Sequence, residues 1–291
     1  MNVLITCLSY CNLTGSELYV HELATGLTKL GHQVLVSAIN YDPNSEIVKH
    51  SSFSVVKMGN EPNFKPDIIH CNQVDTLKKV LESNTKLPIV TTIHSEVIPQ
   101  HEKPILDKRI KKYICVRPSI QKYCLDLGID KKKTTVIYNP IDFSRFKDKG
   151  EGKDITLFVG TFYNLRSQAV DDLISTGKPV WFIGDGFVEL GQKLVKKLGN
   201  QCLFLPPVWN IEDYLKHCNK TSGINFGRTA IEGWVAGREN INYTVDDKGN
   251  ILKKEVLKPE NVERFDSIKV VDDIIRVYEE QIGIRKDVSE V

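Results

Sequence analysis

The sequence predicts an α/β protein of two doubly wound domains, each a mostly parallel sheet flanked by helices. Three observations carry that expectation. Runs rich in Val and Ile alternate with helical patterns along the chain, the alternation stops at a polar stretch near residue 150 and then restarts, and 291 residues suffice for two domains of ordinary size.

The elements follow in order. Strands are expected at 2–8, 32–38, 52–57, 67–71, 88–93, 112–116 and 134–138. Between the first two, Leu18, Val20, His21, Leu23, Ala24, Leu27 and Leu30 fall near helical spacing from about Gly15 to Lys29, and Gly31 follows as a stop. Lys147 to Asp154, with two glycines and six charges, reads as a linker. Beyond it come a strand at 155–159, a helix at about 166–176, a strand at 179–183, a helix at 187–198, a strand at 202–205, a helix at 211–218, a strand at 222–226 and a helix at 228–236. Apolar and polar residues alternate over 240–258 around Asp247-Lys248-Gly249-Asn250, a hairpin pattern, and Ser267 to Ile282 is an amphipathic helix. The expected organisation is therefore 1–148, 149–266 and a C-terminal helical segment, 267–291.

Composition narrows the function. With 41% hydrophobic and 26% charged residues the chain is of globular type, and a formal net charge of +2 lacks the strong positive field of a protein devoted to gripping nucleic acid. Lys108-Arg109-Ile110-Lys111-Lys112 and Lys131-Lys132-Lys133 are local basic runs, a pattern that usually marks solvated faces. The seven cysteines form no CxxC pair and no zinc-type cluster, so they read as buried thiols of a reducing compartment. No apolar run approaches the roughly 20 residues of a membrane span, and the N-terminus opens on a strand pattern too short for a signal peptide. A cytoplasmic location is expected.

Open α/β sheets bind ligands beyond the carboxyl ends of their strands. The loop after the first strand, Tyr10-Cys11-Asn12-Leu13-Thr14-Gly15-Ser16-Glu17, places small residues at a helix N-terminus, where free N–H groups attract phosphate; the alternative is a plain N-cap by Thr14 or Ser16 with Glu17 favouring the dipole. A GxGxxG after the first strand is missing, which argues against a nicotinamide-dependent dehydrogenase.

Motifs then recur in a fixed order: Thr14-Gly15-Ser16-Glu17, His21-Glu22-Leu23-Ala24, Gly31-His32-Gln33-Val34, Pro66-Asp67-Ile68-Ile69-His70, Pro88 to His94, and Val136 to Asp142 ending in Phe146. The second half adds Leu157-Phe158-Val159-Gly160, Phe182-Ile183-Gly184-Asp185-Gly186 and Ala230-Ile231-Glu232-Gly233. In this order the chain resembles retaining GT-B glycosyltransferases of the family 4 type from residue 1 to about 240. The resemblance implies two facing Rossmann-like domains with a donor-binding cleft between them, and a nucleotide-diphosphate sugar as donor substrate with no further cofactor.

By that resemblance Glu232 matches the second glutamate of the family's Glu-x7-Glu motif, which holds the ribose. Ile224, eight positions earlier, stands where the first glutamate belongs, implying an altered donor sugar or a weakened enzyme; Asn225 is the nearest polar substitute. Where relatives carry an arginine and a lysine for the pyrophosphate, this chain has Thr161 and Arg166, and Arg228 is placed to supply a second cation. His94 matches the histidine facing the donor sugar. The expected catalytic residues are His94, Arg166 and Glu232; Thr14, Gly15, Ser16, Thr161, Gly184, Val208, Asn225, Gly227, Arg228 and Thr229 are the expected substrate-binding set. No carboxylate pair for double displacement and no Asp-x-Asp metal site is evident, so transfer without a metal is expected. The acceptor stays open among glycan, lipid, small molecule and DNA base. The Lys-, Asn- and Ile-rich composition resembles phage enzymes that glycosylate modified DNA bases, and a non-catalytic sugar-nucleotide binder is the alternative that Ile224 and Thr161 motivate.

Overall fold

The structure is a computed structural model describing residues 1–96, 102–198 and 201–283. Its chain divides into two compact units: the first comprises Met1–Asn12, Ser16–Pro140 and the segment from Ser267, the second Leu13–Gly15 and Ile141–Asp266.

The first unit starts with β1 (Asn2–Tyr10), α1 (Gly15–Lys29) and β2 (Gln33–Tyr41). Helix α1 ends as its sequence demands: His32 N–H donates to Leu27 O at 3.0 Å across Gly31, a closing bond that satisfies a last-turn carbonyl. Then follow α2 (Glu46–Lys49), β3 (Ser54–Lys57), β4 (Ile68–Asn72), α3 (Val74–Glu82), β5 (Ile89–Ile93), β6 (Ile110–Cys115), α4 (Pro118–Asp126) and β7 (Thr134–Val136). All seven strands are parallel in the order β3-β2-β1-β4-β5-β6-β7. Strands β4 and β5 are buried at every residue, because helices cover both faces of a parallel sheet. The last helix, α9 (Ser267–Ile282), belongs to this unit; it lies so close to α1 that a Cβ added at Gly26 would stand 2.6 Å from Val271 Cγ2. Residues 284–291 of the expected C-terminal segment lie outside the described residues.

The second unit contains β8 (Lys153–Val159), α5 (Asn164–Ser175), β9 (Val180–Ile183), α6 (Phe187–Leu198), β10 (Cys202–Leu205), α7 (Glu212–Leu215), β11 (Cys218–Ile224), α8 (Arg228–Val235), β12 (Glu239–Val245) and β13 (Ile251–Leu257). The sheet runs β10-β9-β8-β11-β12-β13, with only β13 antiparallel, to β12. Phe158, Phe182 and Phe187 are fully buried in its core with Tyr243, and Phe204 stacks on Phe182 at 5.1 Å. The unit is closed at its two ends, where Ile141 N–H donates to Phe265 O at 2.8 Å and Ile141 bridges Asp266.

Three expectations change. The linker at 147–154 ends early, because Lys153 and Asp154 already belong to β8. The helix expected at 211–218 is only the four-residue α7, and β11 begins at Cys218 rather than 222. Its polar run Asn219-Lys220-Thr221-Ser222 hides a central strand. Ser222 Oγ donates to Ile241 O at 2.9 Å and Thr221 Oγ1 to Glu239 O at 3.4 Å, so the buried hydroxyls are hydrogen-bonded on the neighbouring strand. Of the seven cysteines, all free, Cys11 and Cys202 are only partly buried.

Candidate functional site

In both sheets the strand order reverses once, between β1 and β4 and between β8 and β11, and such points open a crevice at the carboxyl ends of the strands. The expected residues collect around these two points.

At the second, β8 ends at Val159 and the chain turns through Gly160. Gly160 has φ +142° and Gly184, at the end of β9, φ +141°, both conformations reserved for glycine. The space is equally exclusive: a Cβ on Gly184 would lie 1.9 Å from Gly160 O, and a Cβ on Gly160 would lie 1.5 Å from Arg166 Nη1. Arg166, in the first turn of α5, therefore lays its guanidinium over the bare Gly160 backbone. Its carbon lies 5.1 Å from the centroid of the Tyr163 ring and 5.9 Å from that of Phe158. Its Nε and Nη1 are buried and have no hydrogen-bond partner among the described residues. Burial pulls its pKa below the ordinary arginine value, against an opposing effect of Tyr163. Buried donors are nearly always paired, and among the described residues none supplies an acceptor to these two atoms.

Helix α8 arrives at the same place, since Thr229 Oγ1 donates to Val159 O at 3.4 Å. Its N-cap, Gly227, makes no side-chain capping bond. Arg228, expected as a second cation, is buried and bonded to Glu232, Nε to Oε1 at 2.8 Å. Four residues apart on one helix they share a face, and in a buried site an ion pair forms where water cannot solvate either charge. A cation in a first turn opposes the helix dipole, and Glu232 offsets that cost. Glu232, the expected ribose ligand, is thus already engaged on one oxygen.

Asn225 is likewise engaged within the fold. Its Oδ1 accepts the Val245 N–H at 3.2 Å and its Nδ2 is buried without a partner, so the side chain holds β12 as well as facing the turn. Asn225 and Phe226 both have positive φ, +52° and +49°. Thr161 lies in the loop after Gly160 and is half-buried. Gly184 N–H donates to Leu205 O at 3.0 Å, and three residues beyond that strand end Val208 is half-buried.

In the first unit His94 stands at the carboxyl end of β5. Its Nε2 donates to Asn72 Oδ1 at 3.0 Å, its ring meets Tyr19 edge-on at 4.8 Å, and its backbone N–H donates to Glu102 at 2.9 Å. Burial, assisted by the Arg117 charge, depresses its pKa to about 3, so the ring is neutral near pH 7. Glu102 is pushed up to about 8 by burial, with the His94 and Ser95 amides acting against it. Behind His94 a polar chain runs into the core: His70 Nε2 bonds Thr92 Oγ1 at 2.6 Å, His70 Nδ1 bonds Tyr278 Oη at 2.5 Å, and Thr92 Oγ1 meets Tyr19 Oη at 3.2 Å.

Thr14, Gly15 and Ser16 lead into α1. The buried Glu17 carboxylate reaches back to accept the Cys11 and Asn12 N–H groups at 3.3 and 3.2 Å, so the protein's own anion occupies part of that loop.

The sequence reading missed Asn72, Gln73, Tyr163 and Asn242. Gln73, with φ +67° and ψ 150°, holds the Leu8 N–H at 3.0 Å in a backbone region where only glycine is at ease. Polar Asn72-Gln73 closing an apolar strand was the available signal for two of these; nothing local marks Tyr163 or Asn242.

Residues 57–145 match the family model Glycosyltransferase Family 4. No curated protein sequence matches the chain. Among solved structures the chain is similar to Anabaena HepE in complex with UDP and glucose, with TM-score 0.72, 14% identity, and coverage of 96% of this chain and 100% of that one. It is similar to AviGT4, a glycosyltransferase involved in avilamycin A biosynthesis, with TM-score 0.65, 13% identity, and coverage of 98% and 99%. It is also similar to an alpha-glucosyltransferase in complex with UDP and a 13-mer DNA, with TM-score 0.56, 14% identity, and coverage of 97% and 93%. The chain thus has the GT-B fold of these solved structures, and its residues 57–145 carry the match to the Glycosyltransferase Family 4 model.

Proposed function

We propose that the chain transfers a glycosyl group from a nucleotide-diphosphate sugar, a UDP-sugar, to an acceptor with retention at the anomeric carbon and without a divalent metal. The observation that carries this reading is Arg166, whose buried Nε and Nη1 lack any partner at the carboxyl end of β8. A diphosphate supplies the paired oxygens that a guanidinium fork accepts. The N-terminus of α8, with Gly227 as its N-cap, lies beside it and presents the positive end of the helix dipole to the same anion. In the transfer the bond from the anomeric carbon to the diphosphate oxygen breaks, a bond to the acceptor oxygen forms, and the acceptor's proton passes to the departing diphosphate. Arg166 stabilises the charge that gathers on the departing diphosphate, Glu232 accepts from the ribose, and Thr161, Gly184, Val208, Asn225, Gly227 and Thr229 line the donor. A neutral His94 orients the sugar by hydrogen bonding rather than as an acid. UDP bound in the HepE and alpha-glucosyltransferase structures supports the choice of nucleotide.

The reading is tested by titrating UDP into the protein and by following UDP release from a panel of UDP-sugars, with the product anomer read by NMR. UDP binding without release under any acceptor favours the non-catalytic binder. An inverted product refutes retention, and activity that collapses with a chelator refutes metal independence.

A second reading concerns the acceptor. Pairing of β6 with β7 brings the two basic runs together, with Lys133 Nζ donating to Ile110 O at 3.0 Å and Lys112 Nζ to Lys132 O at 3.2 Å. That strip, and the DNA held by one structural neighbour, favour a DNA base as acceptor. Duplex DNA that fails to bind even at low salt, where phosphate contacts are strongest, eliminates it.

Among the described residues no helix is long and apolar enough to cross a membrane. We place the protein in the cytoplasm; cell fractionation tests that assignment.

A further inference from the structure

The turn between β11 and α8 is held by two asparagines that act on each other's strands. Asn225 Oδ1, in the turn, accepts the Val245 N–H of β12 at 3.2 Å. Asn242 Oδ1, on β12, accepts the Phe226 N–H of the turn at 2.7 Å. Val245 sits where the β12–β13 register shifts, so Asn225 also satisfies an amide near that irregularity. The clasp is needed because Asn225 and Phe226 are consecutive left-handed residues, φ +52° and +49°, neither of them glycine. Each such residue costs about 1–2 kcal/mol, which surrounding structure must offset. Phe226 is further pinned by Trp234 of α8, the two rings edge-on at 4.7 Å.

Asn242 is 5% exposed and lies opposite Glu255 across the β12–β13 hairpin; the Glu255 carboxylate accepts from Lys253 at 2.7 Å. The Phe226 N–H requires an acceptor and the carboxylate opposite repels one, so the amide oxygen faces the turn. The result is a relay from the hairpin to the turn that delivers Gly227, Arg228 and Thr229 at the start of α8.

We propose that Asn242 is a positioning residue of the donor site: by fixing the strained turn it sets where the first amides of α8 and the Arg228–Glu232 pair meet the diphosphate and ribose. The inference rests on the donor reading above. Glu255 stands opposite Asn242 on β13. Asn242 touches no ligand in this scheme and acts through Phe226.

The test compares wild type with Asn242→Ala, Asn242→Asp, and Asn242→Asp combined with Glu255→Gln, reading UDP affinity by calorimetry, Tm, and hydrogen exchange of the Phe226 amide. Loss of one pinning bond weakens UDP about tenfold in Asn242→Ala, with faster Phe226 exchange. Asn242→Asp keeps an acceptor but sets two carboxylates against each other, so UDP weakens. The double variant regains affinity, because a glutamine amide at 255 donates to the new carboxylate. A merely structural asparagine lowers Tm and leaves UDP affinity of the folded protein unchanged, and that result overturns the proposal. Where Asn242→Ala does not fold, the comparison of Asn242→Asp with the double variant decides: equal affinities overturn it. A wild type that binds no UDP refutes the donor reading and takes this inference with it, whereas wild-type binding with unaffected variants refutes this inference alone.

Discussion

Replacing Arg166 by methionine is expected to stabilise the ligand-free protein while removing its donor affinity. The guanidinium keeps two buried N–H-bearing atoms unpartnered, Nε and Nη1. Each unsatisfied buried donor costs about 1–3 kcal/mol. Stacking over Tyr163 and Phe158, at 5.1 and 5.9 Å, returns about 0.5–2 kcal/mol. Methionine fills a similar volume without polar atoms, so the ligand-free protein gains about 1–2 kcal/mol, a rise in Tm of roughly 2–6 °C. UDP then loses at least one charge-assisted hydrogen bond, worth about 1.5–3 kcal/mol, and binds roughly ten- to hundredfold more weakly. Arg166→Lys, which keeps a charge but loses the planar fork, falls between the two in affinity. Calorimetric melting and UDP titration on the three proteins give both numbers. A methionine variant that melts several degrees lower and binds UDP as well as wild type refutes the reasoning, because the arginine would then be a packing residue.

Gly160→Ala drives a methyl group into the Arg166 guanidinium at a φ of +142°; about 1–3 kcal/mol of stability and most UDP affinity are expected to go together in melts and titrations. Breaking the buried pair by Arg228→Met or Glu232→Leu alone costs about 3–5 kcal/mol, whereas the double variant recovers most of the stability, a coupling that a double-mutant cycle measures. His70 titrates near 3 when folded, through burial and the neighbouring His94, against about 6.5 when unfolded. The unfolded chain therefore binds the extra proton between those values, so the stabilisation is complete above pH 6.5 and falls as the solution is acidified, by about 2 kcal/mol at pH 5. Denaturant melts from pH 7.5 to 5 should show that slope added to a similar one from His94, and His70→Gln should remove about half of the total.

Much of the fold was legible because its information is local. Helix α1 runs over the expected Gly15–Lys29, and strands β5, β8, β9 and β10 fall within a residue or two of their expected positions, since short runs rich in Val, Ile, Phe and Thr mark strands locally. Helix α3 went unassigned, and β11 was shortened, because hydroxyl-bearing residues make a strand core-compatible only when a neighbouring strand presents carbonyls to them. As candidates for the site, Arg166, Glu232, Gly184 and His94 could be named from motif order. The state of each could not.

The sequence by itself determined the alternation of strands and helices, the resemblance to GT-B enzymes, and which residues stand at strand ends, because periodicity and strand-end position are properties of neighbouring residues. Only the tertiary structure decided that Arg228 is neutralised by Glu232 while Arg166 keeps unpartnered donors, that Asn225 and Asn242 clasp a strained turn, and that Tyr278 reaches His70 across 208 residues of chain. These are outcomes of desolvation and hydrogen-bond geometry between groups that burial brings together, and a buried charge or donor has a partner or lacks one only once everything around it is in place.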